Sequence, residues 1–466
     1  MSQKLYLLFL PLLIMLPAWG EVEKWHEGGG ESKGTGSREV LPTLTFGGTT
    51  YSVLNQGNLP LPLFEEGKEP KQDPLKNPYM KSLDKLELPE KIENLSDEEG
   101  NWDDALPELR SWAAHPPKEW EEIDRAAEAG QVNWPMLYEE GTAQGEKVMP
   151  FGILMPHLGK TREVAKLRGS LYRLALERGD AEEAAKQLRR SLLLGEQVGS
   201  GYTLIEGLVG VSIDSLAKDA VSENIDELDS AGLEKMLSVL SSKPPSRERL
   251  LKNLQGEKAF GLGTINYFLM GNLDDASGLA ELSPKMSWMK HLPFPLIRLL
   301  MPDRSQTAAL ESFYDGLIEL HGKSFADVKR SEGLKTEAFD DNPILELLAP
   351  QMESIFRSQC ESDSKHSMLE VGLALKKHQL ETGHWPESLD ELPLDALGNK
   401  GVDAFSGNRV RMYRGARGVG VYALGENLED NGGDPDKDLV LMIHKNPKVK
   451  RLEGDERDSG KKRGRR

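Results

Sequence analysis

The chain has 466 residues, of which 38% are hydrophobic, and it carries a formal net charge of −18. This length allows two or three domains, and the 46 Gly and 27 Pro predict long irregular segments. The charge is uneven, because residues 445–466 hold ten Lys or Arg against four Asp or Glu, which makes this tail +6 and the rest −24. An acidic body repels nucleic acid, so we expect no nucleic-acid partner and a basic, disordered tail at 445–466.

Residues 1–20 have the pattern of a secretory signal peptide. Lys4 precedes the apolar run LYLLFLPLLIMLPAW, and small residues stand at the predicted cleavage point after Gly20. The run is short and poorly flanked for a stable membrane helix, and an uncleaved signal anchor is the alternative. We therefore expect an exported protein, periplasmic or extracellular, with no stable membrane span after signal removal. The sequence does not specify an oligomeric state.

Residues 21–102 have the composition of a flexible leader and linker. Gly, Glu and Ser dominate residues 21–40, and Pro and charged residues dominate most of the remainder. The segment LTFGGTTYSV alternates around Gly47 and Gly48, which predicts a short β-hairpin near 43–53. Such a hairpin is marginal alone, so we expect it to pack on a larger element.

Residues 103–340 are predicted to form a helical body of stacked antiparallel hairpins. The clearest hairpin is KLRGSLYRLALERGDAEEAAKQLRRSLLLGEQV, in which Gly179 can end the first helix and Asp180 can cap the second. Apolar residues recur there at steps of three and four, at Val164, Leu167, Leu171 and Leu174, and again at Ala181, Ala184, Leu188 and Leu192. This single hairpin resembles a tetratricopeptide unit in the placement of Gly179, Asp180, Ala184 and Leu188.

Residues 341–444 are predicted to form an α+β module. The helix MLEVGLALKKHQLETG is followed by the strand-like segments RVRMYR, VGVYAL and DLVLMI. The order of motifs resembles the C-terminal globular part of the type II secretion major pseudopilins. The residues that carry the resemblance are Gly383-His384-Trp385-Pro386, Asp403-Ala404-Phe405-Ser406-Gly407, Tyr422-x-x-Gly425, Gly432-Gly433 and Asp438-Leu439.

This resemblance covers about one sixth of the chain and implies a long helix packed on a small antiparallel sheet, with a calcium-binding loop before the last strand. The segment 341–444 is also similar to the tails of many uncharacterised exported bacterial proteins that join such a module to a helical body. No prepilin-type N-terminus adjoins the helix, so membership of a filament is not expected.

The loop ENLEDNGGDPDKD contains the candidate metal ligands. Calcium prefers several carboxylate and carbonyl oxygens on a flexible loop, and paired glycines let the backbone fold tightly. The residues that supply side-chain oxygens are Asn427, Asp430, Asp434, Asp436 and Asp438. The chain has Gly425-Glu426-Asn427-Leu428 where pseudopilins usually have Gly-x-Asp-Gly, which removes one charge. The alternative is a solvated acidic turn held by Asx hydrogen bonds.

The sequence shows no recognisable catalytic motif, such as a zincin HExxH, a P-loop or a GxSxG elbow. We therefore expect a mainly α protein, built from an antiparallel helical hairpin stack and a small C-terminal α+β module, that acts as a non-catalytic scaffold or protein-interaction protein for other exported proteins. Two alternatives are an accessory of a type II secretion-like system and a hydrolase without a recognisable motif.

Overall fold

The computed structural model describes residues 41–54, 59–61, 73–93, 95, 101–130, 132–139, 147–148, 150–243, 247–269, 302, 304–331, 339, 345, 348, 352–392 and 401–445. The predicted signal peptide, the leader at 21–40 and the tail beyond Lys445 lie outside these residues. Within them the fold is mainly α with a small C-terminal α+β module, as the sequence predicts.

Helices make up most of the described chain, and each of two small sheets has three strands. The helices are α1 (Met80–Lys85), α2 (Glu90–Glu93), α3 (Trp102–Ala114), α4 (Lys118–Ala127), α5 (His157–Glu177), α6 (Ala181–Gly199), α7 (Leu204–Glu223), α8 (Ser230–Ser242), α9 (Arg247–Leu269), α10 (Arg304–Leu320), α11 (Phe325–Arg330) and α12 (Met352–Thr382). The strands are β1 (Thr43–Phe46), β2 (Thr49–Val53), β3 (Leu137–Glu139), β4 (Arg411–Gly415), β5 (Gly418–Ala423) and β6 (Leu439–Lys445). Within the described ranges, none of the helices combines the length and the apolar character that a membrane span requires.

The α5–α6 hairpin forms as its sequence predicts. Gly179 takes a φ of 69°, the left-handed conformation that favours glycine, and the Asp180 carboxylate accepts the Glu183 N–H at 2.9 Å. The predicted apolar face is buried except for the partly exposed Ala181, and Leu188 is 2% exposed. Its α6 residues pack against α7 and α8, whereas its α5 residues belong to a core shared with α1, α3 and α4. Burial of both halves of the face stabilises the hairpin.

Helices α6 and α7 approach each other closely because glycines line their contact. A Cβ atom on Gly210 would lie 2.6 Å from the Gly195 carbonyl oxygen and 2.6 Å from the Gly199 Cα. Beside these glycines, the buried Arg249 of α9 pairs with Asp214 of α7 at 2.9 Å and donates to the Gly195 carbonyl. The sequence analysis identified the apolar faces of this stack but not its close glycine contact.

An N-terminal sheet covers one side of the body. The predicted hairpin is confirmed: β1 and β2 are antiparallel, with Gly47 and Gly48 both at positive φ in the turn. The unpredicted strand β3 pairs antiparallel with β2 and extends the sheet. The sequence does not reveal β3, because three residues are too few to show a period-2 pattern and its partner β2 lies more than 80 residues earlier in the chain.

Short helices of the N-terminal region pack directly on α5 and α6. Tyr79 is fully buried, its hydroxyl group donates to the Gln197 side chain, and the Trp134 indole donates to the Gln197 carbonyl. The Gln197 amide in turn donates to the carbonyls of Ala127 and Gly130. Gln197 therefore connects α6 to three segments that precede the hairpin in the chain.

The C-terminal module consists of α12 packed against the antiparallel sheet β4–β5–β6. Gly372 permits this packing, because a Cβ atom there would overlap the Ile443 side chain of β6. The same core is continuous with the body: it contains Leu188 of α6, Met236 of α8, Leu373 of α12 and Val421 of β5. The sheet is therefore an integral part of the folded body.

Candidate functional site

The acidic loop predicted to bind calcium connects β5 to β6. Gly432 and Gly433 take φ values of 68° and 75°, and Leu428 also lies in the left-handed region with a φ of 59°. These turns fold the loop back on Asp438, whose Oδ2 accepts the N–H groups of Asn431 at 3.2 Å and Gly433 at 2.9 Å. The loop is thus shaped around one carboxylate.

Asp438 has one oxygen without a partner. The residue is 4% exposed, and its Oδ1 is buried with no hydrogen bond within the described part of the chain. Burial raises the pKa of this carboxyl group, and the neighbouring charge of Asp430 contributes in the same direction. A buried carboxylate oxygen without a donor is unfavourable, and a bound cation would relieve this cost.

Asp430 already has polar partners. Its Oδ1 accepts the Gly432 N–H at 3.0 Å and the Tyr422 hydroxyl at 3.1 Å, and its Oδ2 pairs with the Arg411 Nε at 3.0 Å. The hydrogen bond from Gly432 is the main reason that the pKa of Asp430 is lowered. A cation at Asp430 would therefore compete with the Arg411 guanidinium.

The remaining candidate ligands are engaged locally. Asn427 accepts the Glu429 N–H and donates to the Asn431 side chain, which is the Asx geometry of the alternative interpretation. Asp434 accepts the Asp436 N–H at 3.2 Å, and Asp436 itself is exposed.

Across the described residues, no group of three or more His, Cys, Asp or Glu side chains is placed to hold a metal ion. Within the described chain, Asp438 keeps one oxygen without a partner, whereas both oxygens of Asp430 already have partners. The charge of Asp430 acts on Asp438, and the Asp434 backbone carbonyl accepts the Asp438 N–H at 2.7 Å. The side chains of Asn427 and Asp434 make hydrogen bonds within the loop, and Asp436 is exposed. Calcium binding at this loop stays a prediction.

Asp403 is a buried polar centre that the sequence analysis did not assign a role. It is fully buried, and its oxygens accept the Phe405 N–H at 2.9 Å, the Ser406 hydroxyl at 2.6 Å and the Leu424 N–H at 3.2 Å. Arg411 bridges Asp403 to the acidic loop, since its guanidinium also lies 3.4 Å from Asp403. These contacts fix the shape of the 403–407 turn.

The 403–407 turn is bonded to the helical body. The N–H groups of Phe325 and Ala326, at the start of α11, donate to the carbonyls of Ala404 and Phe405 at 2.9 Å each. The Ser364 hydroxyl of α12 accepts the Ala404 N–H at 2.9 Å. The module thereby lines a cleft with its 402–407 segment and with α12, and the body contributes the Gly322–Ser324 turn and Leu250.

This cleft has a volume of about 240 Å³ and lies between the 402–407 segment, the Gly322–Ser324 turn and the middle of α12. Its floor consists of the buried side chains of Leu250, Phe356 and Cys360. Cys360, the chain's single cysteine, is buried in this floor.

Polar groups surround this apolar floor. Gln359 and Asp363 stand on the α12 side, where the Gln359 amide donates to the Asp363 carboxylate at 2.7 Å. Lys323 and Asp327 are exposed at the rim. The Ser324 hydroxyl donates to Asp327 at 2.7 Å and lowers the pKa of its carboxyl group, so Asp327 is charged at neutral pH.

Two carboxylates with raised pKa values lie elsewhere, at the start of α7. The buried Glu206 accepts the N–H groups of Tyr202 and Thr203, and Glu257 of α9 accepts the Leu204 N–H at 3.2 Å. The pKa of Glu257 is raised to about 7, mainly by burial, and the charge of Glu206 contributes in the same direction. These groups cap a helix and do not line the cleft.

We compared the chain with models of known protein families, with curated proteins and with solved structures, and found no match in any of the three comparisons. The candidate site is therefore interpreted from its own geometry.

Proposed function

We propose that this protein is an exported, non-catalytic scaffold that binds another exported protein at the cleft between its helical body and its C-terminal module. The observation that carries the proposal is the shared construction of the cleft. Leu250 comes from the body, whereas Phe356 and Gln359 come from helix α12 of the module and Val402 and Ala404 from its 402–407 segment. A partner seated there would contact both parts at once.

The placement of the titrating groups supports a binding role over a catalytic one. A hydrolase of the kind left open by the sequence needs acidic or basic groups that converge on a substrate cavity. The described carboxyl groups with raised pKa values do not line the cleft; they belong to Glu206, Glu257, Glu361 and Asp438. Glu206 and Glu257 serve as hydrogen-bond acceptors at the start of α7 instead. The cleft combines a small apolar floor with a polar rim, which suits recognition of a partner side chain.

Site-specific photo-cross-linking in the native host tests this function. A photoreactive phenylalanine at the exposed rim position Asp327 should give a discrete adduct with one exported protein, and the same residue at Lys186, on the exposed face of α6, should not. Identical adducts at both positions, or none at the cleft, would show that this surface does not bind a partner.

Export is tested separately by N-terminal sequencing of the mature protein. Cleavage after Gly20, with the protein recovered outside the cytoplasm, is the expected result. An intact Met1 in a membrane fraction would contradict it.

A second candidate function is an accessory of a type II secretion-like system. It is favoured by the packing of α12 on a three-stranded antiparallel sheet, with the acidic loop immediately before β6, because the pseudopilin resemblance implies this arrangement. The identity of the cross-linked protein separates the two candidates. A component of the secretion machinery supports the accessory role, whereas an unrelated exported protein supports the general scaffold.

A further inference from the structure

The size of the cleft limits what it can hold. Pockets for drug-sized ligands occupy roughly 300–1,000 Å³, whereas this cleft measures about 240 Å³. Leu250 is 6% exposed and Phe356 is 2% exposed, so the floor offers a well-packed apolar surface. A single apolar side chain fits this space and floor better than a larger ligand does.

Lys323 supplies a positive charge at the rim. Its neighbour Asp327 already pairs with Arg330 at 3.0 Å and accepts the Ser324 hydroxyl. The charge of Lys323 contributes to the lowered pKa of Asp327, but its ammonium group forms no hydrogen bond or salt bridge within the described part of the chain. A carboxylate entering the cleft can therefore pair with Lys323 without breaking a direct contact.

Gln359 supplies an acceptor on the wall. Its side-chain NH₂ donates to Asp363, and its carbonyl oxygen has no hydrogen-bond partner among the described residues. This arrangement fixes the amide orientation and leaves the oxygen to accept an N–H group. The cleft thus offers an apolar floor, one acceptor for an N–H and one cation for a carboxylate.

We infer that the cleft binds the C-terminal residue of a polypeptide that ends in an apolar side chain and a free α-carboxylate. The side chain rests on Leu250 and Phe356, the last backbone N–H donates to Gln359, and the carboxylate pairs with Lys323. This inference rests on the proposed function, in which the partner is a protein, and it specifies which part of the partner is recognised.

Titration of the full-length protein with two short peptides tests the inference. Both carry the sequence acetyl-Gly-Ser-Gly-Ser-Leu, and one ends in a free carboxylate while the other ends in an amide. The free carboxylate should bind in a one-to-one ratio, and the amide about tenfold more weakly or worse, because it loses the charge-assisted contact. Equal affinities, or no binding of either peptide at millimolar concentration, would overturn the inference.

Substitution of Lys323 tests whether the peptide carboxylate binds at the rim of the cleft. Lys323→Gln lies on the surface and leaves the fold intact, and it should weaken the free-carboxylate peptide about tenfold while leaving the amide peptide unchanged. Lys186→Gln, equally exposed on α6, is the matched control and should bind as the wild type does. If both variants behave alike, the carboxylate does not bind at this rim.

A third ligand separates peptide ends from free acids. 4-Methylpentanoate carries the leucine alkyl group and a carboxylate but no N–H for Gln359, so it should bind more weakly than the peptide. Comparable affinity would reassign the cleft to small carboxylic acids and overturn the peptide inference. A partner adduct at Asp327 without peptide binding would refute this inference alone, whereas the absence of any adduct would refute the scaffold function.

Discussion

The imidazole of His157 lies flat against the indole of Trp134, with ring centroids 4.6 Å apart and 4° between the ring planes. Trp134 is itself stacked on Tyr79, so His157 ends a column of three aromatic rings. Both ring nitrogens of His157 are buried without a hydrogen-bond partner in the described structure. Burial lowers the pKa of His157 to about 3, which keeps the ring neutral at ordinary pH.

We therefore predict that acid destabilises the protein through His157. The unfolded chain binds a proton near pH 6.5 and the folded chain only near pH 3, so the unfolded state binds more protons between these values. Stability should fall as pH decreases below 6.5, by about 2 kcal/mol at pH 5. Chemical denaturation of wild type and His157→Phe above pH 6.5 and at pH 5 measures this contribution.

The variant His157→Phe keeps a ring against Trp134 and should lose most of the dependence on pH. His115→Phe, at an exposed histidine after α3, is the control and should retain it. An unchanged pH slope in His157→Phe would mean that another group controls acid stability.

The raised pKa of Glu257 predicts that stability changes with pH in the opposite direction. The folded chain keeps its proton up to about pH 7 and the unfolded chain releases it near pH 4.5, so the folded state binds more protons in this window. Stability should decrease as pH rises from 4.5 to 7, and Glu257→Gln should regain about 1–2 kcal/mol at pH 8, after allowance for partial solvent screening. Unfolding curves at pH 5 and pH 8 provide the measurement.

Glutamine at position 257 can still accept the Leu204 N–H, so this variant removes the charge and retains the helix contact. Glu248→Gln, at an exposed position of the same helix, should change stability at neither pH. A Glu257→Gln variant that is less stable than wild type at pH 8 would show that the ionised group stabilises the start of α7.

Two glycines in neighbouring helices should respond in opposite ways to a methyl group. Gly210→Ala would place Cβ 2.6 Å from backbone atoms of Gly195 and Gly199, so α6 and α7 must separate. We expect a loss of about 1–3 kcal/mol or more. In α5, Gly159 has no atom within 4 Å of its added Cβ, and Gly159→Ala should be neutral or stabilising by up to ~1 kcal/mol. Melting temperatures of the two variants provide the comparison.

The sequence predicted the elements that follow local rules. The α5–α6 hairpin has a strong apolar period, a glycine at its turn and an aspartate at its cap, and each feature has its expected role. The strands β4, β5 and β6 fall in the three segments expected to form them. These patterns depend on residues close together in the chain, which is why they can be read without the fold.

Long-range contacts were the part that the sequence could not supply. Three sets of contacts join residues from distant segments: the close approach of Gly210 to α6, the hydrogen bonds of Gln197 and the hydrogen bonds of Asp403. The cleft likewise forms where α9, α12 and the 402–407 segment come together, and no residue spacing in the sequence predicts that contact. The candidate calcium ligands were proposed from composition, and only the fold distinguishes the unpartnered Asp438 from the already paired Asp430.

We predict that calcium binds at the β5–β6 loop. Asp438 Oδ1 is buried without a donor, while Gly432 and Gly433 fold the surrounding backbone around the same carboxylate. If calcium binds there only in the folded protein, a hundredfold excess over the dissociation constant stabilises the fold by about 2.7 kcal/mol. The full-length protein should therefore melt at a higher temperature in calcium than in chelator. Magnesium should substitute poorly, because it requires a tighter octahedral geometry.

Asp438→Asn should abolish the calcium-dependent rise while leaving the melting temperature in chelator unchanged or higher, since it removes a buried charge but can still accept the Asn431 and Gly433 N–H groups. Asp390→Asn, at an exposed site of the same module, should keep the full rise. If wild type melts at the same temperature in millimolar calcium and in chelator, the loop is a solvated acidic turn, and the unpartnered oxygen of Asp438 is satisfied by water.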